Sequence, residues 1–221
     1  MKDGVKVSSK EAAQIEAKTR AQATSTQWQK LRQWRLTASK FGEIAKITER
    51  RNLEKLCDLL YNPPNLTHVP AVRHGNTYES VALEQFSKVT GKKTLKSGLC
   101  IHPDFPYLGA SPDSFVEGED AVIECKCPYK GRHSKISPGE EFDFLEESGD
   151  CVRLKRNHNY YYQIIGQMKL AQKSHGYFVV YTFKDMFYEK IDYDDAFFNT
   201  MHAKLKSFHD EVYCPYIASK L

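Results

Sequence analysis

The sequence lacks any apolar run approaching the ~20 residues that a membrane-spanning helix needs, and its charged N-terminal segment lacks the apolar centre of a signal peptide. We therefore expect a soluble intracellular protein, cytoplasmic or nuclear, without a membrane partner. The 6 cysteines are scattered along the chain, and no two of them have the two-residue spacing of a zinc knuckle. This pattern predicts reduced thiols that pack against other side chains.

A strong charge excess is also absent, since 32 Lys and Arg residues against 28 Asp and Glu residues leave a net charge of +4. Such a mildly basic chain is compatible with a polyanionic partner but does not by itself indicate one. Repeats and low-complexity tracts are missing, and none of the 8 histidines has a clear metal-ligand spacing to another. The function must therefore be inferred from local motifs.

The 221 residues, 41% of them hydrophobic, suffice for one large domain with a substantial core. The polar residues 1–25 predict a helix or a flexible arm, and residues 26–221 predict a single domain. Residues 130–157 are polar and irregular and predict at most a short helix. The patterns favour helices over 37–47, 51–61, 71–91, 157–173 and 194–213, and strands within 94–103, 108–116, 121–127, 176–183 and 186–193. This order predicts an α/β domain with a small mixed central sheet flanked by helices.

Three charged residues interrupt the apolar runs near the middle of the chain. Glu124 and Lys126 are two apart on a predicted strand, so their side chains leave the same face. Ile123, Cys125 and Cys127 supply the apolar opposite face. Asp113 ends the preceding strand about one hairpin away, so it can converge on Glu124. A solvated ion pair is the plain alternative, but the strand is short and otherwise apolar, which favours a position inside the sheet.

The chemistry of these three groups points to phosphodiester hydrolysis. Two carboxylates held together repel each other unless a cation lies between them, and oxygen ligands select a hard ion such as Mg²⁺ or Mn²⁺. A lysine beside them can hold an attacking hydroxide or the charge that develops on a phosphoryl group. Pro112 and Asp113, followed after ten residues by Glu124 and Lys126, have the spacing of the PD-(D/E)xK nuclease core.

Five separated blocks carry a wider resemblance: WQKLRQWRLTASKFG, RHGNTYESVALEQF, LGASPDSFV, VIECKCP and NYYYQIIGQM, in this order. Over roughly residues 26–185, the chain resembles the phage lambda exonuclease and YqaJ-type viral recombinase family. The resemblance implies a restriction-endonuclease-like core and a Mg²⁺-dependent enzyme, with Mn²⁺ as a substitute and two ions per site. It implies 5′-to-3′ degradation of linear double-stranded DNA, which leaves 3′ tails for a single-strand annealing protein, and a homotrimer around the DNA.

The resemblance also implies roles for residues of the central motif. Asp113 and Glu124 would be metal ligands, joined by the backbone carbonyl of Cys125. Lys126 would orient or activate the attacking water and steady the transition state. Glu79, in the predicted long helix, would add a carboxylate to the metal cluster, although without the resemblance it reads as an ordinary exposed helix residue.

Further roles come from the first and last blocks. Gln163 would contact the nucleophile or the scissile phosphate, although unaided it is a polar residue on an aromatic helix face. Arg32 and Ser39 would bind the 5′-phosphate of the DNA end, because a guanidinium suits a bidentate phosphate contact and a serine at a helix N-terminus suits an anion. Thr37 or Ser39 is expected near the N-cap of the helix over 37–47, so Ser39 could equally be a plain N-cap, and both roles are compatible.

The chain departs from the family pattern at two places, and two other functions stay open. Ser114 stands where the family usually has glycine, at an expected turn, and the 130–157 insert is acidic in its middle. The three closely spaced C-terminal cysteines of iron–sulfur relatives are missing.

The alternative functions are a structure-specific or site-specific endonuclease on the same core, and a DNA-end binding module with a decayed site. The intact Asp113, Glu124 and Lys126 argue against decay.

Overall fold

The structure is a computed structural model that describes residues 5–220. Helices α1 to α8 cover Ser9–Lys18, Thr26–Gln33, Ala38–Ala45, Leu53–Tyr61, Pro70–Thr90, Asn159–Leu170, Asp195–Phe208 and Cys214–Ala218. Strands β1 to β9 cover Leu36–Thr37, Thr94–Lys96, Leu108–Gly109, Ser114–Val116, Ala121–Lys126, Leu145–Ser148, Cys151–Leu154, His175–Tyr181 and Met186–Asp192. A short 3₁₀ turn at Gln22–Thr24 and a π-helical turn at His209–Tyr213 complete the regular structure of this part of the chain.

The centre of the fold is a five-stranded sheet in the order β2-β4-β5-β8-β9. Strands β5 and β8 run parallel, whereas the other neighbouring pairs are antiparallel. Because β5 and β8 lie in the middle and are covered on both faces, their sequences are nearly continuous apolar runs. The predicted mixed sheet flanked by helices is confirmed.

Helices cover the two faces of the sheet unequally. The larger core lies between the sheet and α3, α6 and α7, and it includes Phe41, Ile164 and Phe198 packed with Val122 of β5. The smaller core lies under α5, where Ala82 and Phe86 pack on the other face of β5 and β8. Its further members include Ile123, Cys125 and Val179. The prediction that Ile123 and Cys125 form an apolar face of β5 is confirmed.

Two helix ends follow from local sequence. Helix α5 begins at Pro70, whose missing N–H costs nothing in the first turn, and ends before Gly91, whose φ of 71° is the left-handed conformation of a helix C-cap. The N-cap of α3 is Thr37, which makes no side-chain cap hydrogen bond, so Ser39 lies inside the first turn rather than at the cap. The interpretation of Ser39 as a plain N-cap is therefore wrong.

The insert at 130–157 differs from its prediction. Instead of a short helix it contains a β-hairpin, in which β6 and β7 pair from Leu145 opposite Leu154 to Ser148 opposite Cys151. Both leucines are buried in the larger core. Glu146 and Glu147, which are adjacent in β6 and therefore leave opposite faces, are half-buried and exposed, respectively.

The N-terminal segment is bonded to the body of the protein. Gly98 donates its backbone N–H to Oε1 of Glu16 across 2.9 Å, and Leu99 donates to Oγ1 of Thr19 across 2.8 Å. Gln22 donates from Nε2 to the Pro112 carbonyl, also across 2.9 Å. The N-terminal segment is therefore bonded to the chain that leads into Asp113. The proposed boundary at residue 25 stays a prediction.

A bilayer-spanning segment was not expected. Within residues 5–220, no helix has both the length and the apolar character needed to cross a membrane.

Candidate active site

Asp113 and the end of β5 are held together by the β4–β5 hairpin. The Asp113 N–H donates to the Ile123 carbonyl across 3.0 Å, and the Cys125 N–H donates to Oδ2 of Asp113 across 2.6 Å. These two bonds extend the register in which Ser114 pairs with Ile123. The convergence of Asp113 on the Glu124 strand, expected from a hairpin, is therefore observed.

Glu124 is the buried centre of the site, with 2% of its surface exposed. Its Oε1 accepts from the Lys126 ammonium at 2.5 Å and from Nε2 of Gln163 at 2.6 Å. Its Oε2 accepts from Nε2 of Gln167 at 2.6 Å. A buried carboxylate without partners would be costly, so these donors both stabilise the charge and fix the orientation of the group.

Lys126 is placed to act as a cation. Burial alone lowers the pKa of Lys126, but the negative charges of Glu124 and Asp113 outweigh it and raise the pKa above its usual value. The ammonium also lies 4.4 Å from the ring centroid of Tyr160 and 3.3 Å from Oε1 of Gln163. As the side chains stand, Lys126 therefore supplies positive charge beside Glu124.

Glu79 reaches the same site from α5. Burial and the charge of Glu124 raise its pKa, with Lys126 acting in the opposite direction. Burial also raises the pKa of Asp113 well above its usual value, and the charges of Glu124 and Glu79 add to that effect. Three carboxylates therefore share one electrostatic environment, in which a cation would relieve their repulsion.

The donor chemistry of these carboxylates fits a hard divalent ion. As the side chains stand, no three His, Cys, Asp or Glu residues of the described chain are gathered into a set that could hold a metal ion. At Glu124, Oε1 accepts from both Lys126 and Gln163, whereas Oε2 accepts from Gln167 alone. A carboxylate oxygen has two lone pairs, so Oε2 retains one that could face an ion.

Cys125 takes part through its backbone. Its N–H is bonded to Asp113, while its side chain points into the smaller core under α5. Burial raises the pKa of the thiol well above its usual value, with the Asp113 and Glu124 charges adding to the shift, so the thiol is neutral. Only the backbone carbonyl is then available as a ligand, and that role stays a prediction.

Arg32 and Ser39, the two residues expected at the 5′-phosphate, line one surface pocket of about 720 Å³. The Arg32 guanidinium lies 4.1 Å from the ring centroid of Trp28, and burial lowers its pKa to about 10, so it remains charged at neutral pH. Trp28 in turn donates from Nε1 to Oγ of Ser111 across 2.8 Å. Because Ser111 is two residues before Asp113, this bond connects the pocket to the carboxylate site.

The structure also shows groups that the sequence did not single out. Gln167 binds the second oxygen of Glu124, and its own Oε1 is buried without a hydrogen-bond partner within residues 5–220. The signal was its spacing of four from Gln163, which places both amides on one face of α6. Tyr160, one residue into α6, lies under the Lys126 ammonium.

Ser114 is a strand residue, so its assignment to a turn is wrong. It begins β4, pairs with Lys96 on one side and Ile123 on the other, and donates from Oγ to the Leu95 carbonyl across 2.7 Å. The side chain is buried and satisfied within the sheet. The departure from the family pattern at this position therefore leaves the adjacent Asp113 in register.

Comparison with known proteins gives a family match and several solved structures of similar fold. The family model described as "YqaJ-like viral recombinase domain" matches residues 27–174. The fold is similar to that of LHK-Exo, an alkaline exonuclease from Laribacter hongkongensis solved in complex with dAMP, at 24% identity and a TM-score of 0.68 over 89% of this chain and 97% of that chain. No curated protein matches the sequence.

Two further solved structures share the fold at lower identity. A phage-related exonuclease from Haemophilus somnus 129PT has 13% identity and a TM-score of 0.60, over 87% of this chain and 99% of that chain. The Shutoff and Exonuclease Protein from Kaposi's sarcoma-associated herpesvirus has 12% identity and a TM-score of 0.63, over 94% of this chain and 74% of that chain.

Proposed function

Because the chain belongs to the family of YqaJ-like viral recombinase domains, we propose that it is a divalent-metal-dependent deoxyribonuclease. We propose further that it degrades linear double-stranded DNA from 5′ to 3′ and leaves 3′ single-stranded tails for recombination. The observation that carries this proposal is the Glu124 carboxylate held by Lys126 and Gln163, with the Asp113 and Glu79 carboxylates in the same electrostatic environment. The solved complex of the similar LHK-Exo with dAMP supports a nucleotide-binding site in this fold.

The proposed metal site uses Asp113, Glu124, the Cys125 carbonyl and Glu79. We propose Mg²⁺ as the resident ion, with Mn²⁺ able to replace it and two ions per site. Such an ion, when bound, polarises the phosphoryl oxygen and lowers the pKa of its bound water. The four groups supply oxygen ligands only, which is the set that a hard ion prefers.

The remaining residues act on charge and orientation. The protonated Lys126 is placed to stabilise the negative charge that develops on the phosphoryl group, because a fixed cation in a buried site costs no reorganisation during the reaction. Gln163 presents both an amide donor and a carbonyl acceptor beside it, and we propose that it orients the attacking water or the scissile phosphate. In this role Lys126 is an electrostatic catalyst and Gln163 a hydrogen-bonding one.

Recognition of the DNA end is assigned to the pocket of Arg32 and Ser39. A guanidinium held against the Trp28 ring can offer two parallel N–H donors to a terminal phosphate. The hydroxyl of Ser39, in the first turn of α3, is exposed on the same pocket. We therefore propose that the enzyme prefers a 5′-phosphate to a 5′-hydroxyl.

The decisive experiment compares the digestion of linear duplex and of covalently closed circular duplex in Mg²⁺. We expect the linear form to be consumed and the circle to be spared, and a label at the 5′ end to be released first. Nicking of closed circles would favour the site-specific or structure-specific endonuclease. Intact linear DNA with a 5′-phosphate, in both Mg²⁺ and Mn²⁺, would favour a binding module with a decayed site.

Two partners remain part of the proposal. The family resemblance implies a homotrimer and a single-strand annealing protein. Light scattering coupled to size-exclusion chromatography tests the trimer, since a mass three times that of the chain is expected. Joint purification with an annealing protein, checked on 3′-tailed DNA, tests the second.

A further inference from the structure

Five aromatic and imidazole rings meet at one place beside the candidate active site. This aromatic cluster consists of His74, Tyr78, Tyr129, His133 and Phe183. Ring centroids lie 4.8 Å apart for Tyr78 and Phe183, 5.6 Å apart for His74 and Tyr129, and 5.2 Å apart for His133 and Phe183. The cluster joins three segments that are distant in sequence.

The cluster faces solvent instead of closing a core. Tyr129 is 40% exposed and Phe183 is 41% exposed, although each is a large ring in contact with other rings. The rings are also held in place, because Phe183 donates its N–H to the Arg132 carbonyl and Thr182 donates from Oγ1 to the Ser134 carbonyl, each across 2.9 Å. Exposed rings on a fixed backbone form a surface already shaped for a flat ligand.

The position of the cluster is continuous with the catalytic groups. Tyr78 directly precedes Glu79 on α5, and Tyr129 is three residues after Lys126. Phe183 follows the end of β8, and since β5 and β8 are parallel, their carboxyl ends lie at the same edge of the sheet. A strand that leaves the carboxylate site along this edge would meet the rings first.

Basic residues lie next to the cluster. The Arg132 guanidinium lies 4.0 Å from the ring centroid of Tyr129, and the exposed Lys130 and Lys184 directly follow Tyr129 and Phe183 in sequence. Burial lowers the pKa of His74, and the positive charge of Arg132 lowers it further.

Two acidic residues close in sequence or structure to the cluster already have partners. Asp185 accepts from the Ile136 and Met186 N–H groups, and Glu140 lies 3.9 Å from Lys130. Arg132 and Lys184 therefore supply positive charge at the border of the ring surface, which is the sign that a nucleic-acid backbone requires.

We propose that the aromatic cluster binds single-stranded DNA by stacking unpaired nucleobases on Tyr129 and Phe183. This inference rests on the proposed nuclease function. It adds that a single strand of DNA next to the active site is bound through its unpaired bases. Bases in the interior of a duplex are covered on both faces by their neighbours, whereas unpaired bases expose their faces to the rings. Stacking of this kind tolerates any sequence, because every base has a π-face.

The test measures binding without cleavage. The anisotropy of a labelled oligothymidylate is followed in EDTA, beside an abasic oligonucleotide of the same length that keeps the phosphates and lacks the bases. We expect Tyr129→Ala and Phe183→Ala each to raise the Kd for oligothymidylate roughly 5- to 150-fold. The Kd for the abasic strand should stay unchanged, and Phe183→Trp should retain the binding of oligothymidylate.

Leu95→Ala serves as the control, because Leu95 is 45% exposed but lies on β2, at the far edge of the sheet. It should leave both affinities unchanged. Equal losses for both oligonucleotides would overturn the proposal in favour of phosphate contacts. Affinities of Tyr129→Ala and Phe183→Ala equal to those of the wild type would also overturn it. If these variants in addition sediment as a smaller species than the wild type, the rings form a contact between copies of the chain.

The inference and the proposed function can fail separately. Wild-type protein that stacks oligothymidylate but leaves linear duplex intact contradicts the nuclease and keeps the surface. Protein that digests the duplex but binds both oligonucleotides equally well contradicts the surface and keeps the nuclease.

Discussion

Gln167 donates from Nε2 to Oε2 of Glu124 across 2.6 Å, and this is the carboxylate oxygen that neither Lys126 nor Gln163 contacts. The three donors together fix the plane of the Glu124 carboxylate. Gln167 touches neither of the other two carboxylates in the site, so we assign it a positioning role through Glu124.

Replacement of Gln167 by methionine should test this assignment, since the volume is similar but the donor is lost. We expect kcat to fall roughly 10- to 150-fold, the equivalent of about 1.5 to 3 kcal/mol for a hydrogen bond to a charged group, with KM for DNA nearly unchanged. Steady-state digestion of linear duplex measures both constants. A purely structural residue would instead lower the melting temperature and leave kcat of the folded fraction intact.

Variants of Lys126 and Asp113 should differ in their affinity for Mg²⁺, although both should lose turnover. Lys126→Ala should reduce turnover at least ~100-fold, because a cation aimed at the developing charge is lost. Its affinity for Mg²⁺ should be kept or increased, since Lys126 competes for Glu124. Asp113→Ala should lose metal binding as well as activity. Titration calorimetry with Mg²⁺ measures the affinities, and equal values for wild type and both variants would contradict these roles.

Arg32 should decide the preference for the end chemistry of the DNA. Arg32→Ala should bring the rates on 5′-phosphorylated and 5′-hydroxyl duplex together, because the paired donors for the phosphate are removed. The control is Lys40→Ala, since Lys40 lines the same pocket but is already paired with Glu43 at 2.9 Å. If both variants lose the preference equally, general positive charge explains it and the specific role of Arg32 is wrong.

The central motif was readable because it violates a pattern. Glu124 and Lys126 interrupt an apolar strand at a spacing of two, and this spacing predicts that both side chains leave the same face of the strand. Asp113 could be added because a hairpin reverses the chain within a few residues. Both relationships involve residues close in sequence, and the local periodicity of apolar residues is the strongest structural signal that a sequence contains.

The missed features depend on contacts between distant segments. Gln167 could be assigned only once Glu124 was known to point at α6. The aromatic cluster joins α5, the loop after β5 and the end of β8, and no local pattern links Tyr78 with Phe183. The sequence does not predict the β6–β7 hairpin because each strand has only four residues and one buried leucine, Leu145 in β6 and Leu154 in β7.

The packing of helix α1 against the rest of the protein should depend on Gly98, which leaves room for the α1 backbone. A Cβ at Gly98 would lie 1.9 Å from the Glu16 carbonyl oxygen, so Gly98→Ala must displace α1 from the body of the protein. We expect a loss of about 1 to 3 kcal/mol in the free energy of unfolding, measured by urea denaturation. The matched control is Gly75→Ala inside α5, where a Cβ meets no atom within 4 Å and should stabilise by about 0.5 to 1 kcal/mol.

The same pair of variants links the helix to the site. Because Gln22 donates to the Pro112 carbonyl next to Asp113, displacement of the N-terminal segment should loosen the support of Asp113. Nuclease activity per folded molecule should then fall in Gly98→Ala and stay unchanged in Gly75→Ala. A Gly98→Ala protein as stable as wild type would show that α1 does not need this close approach.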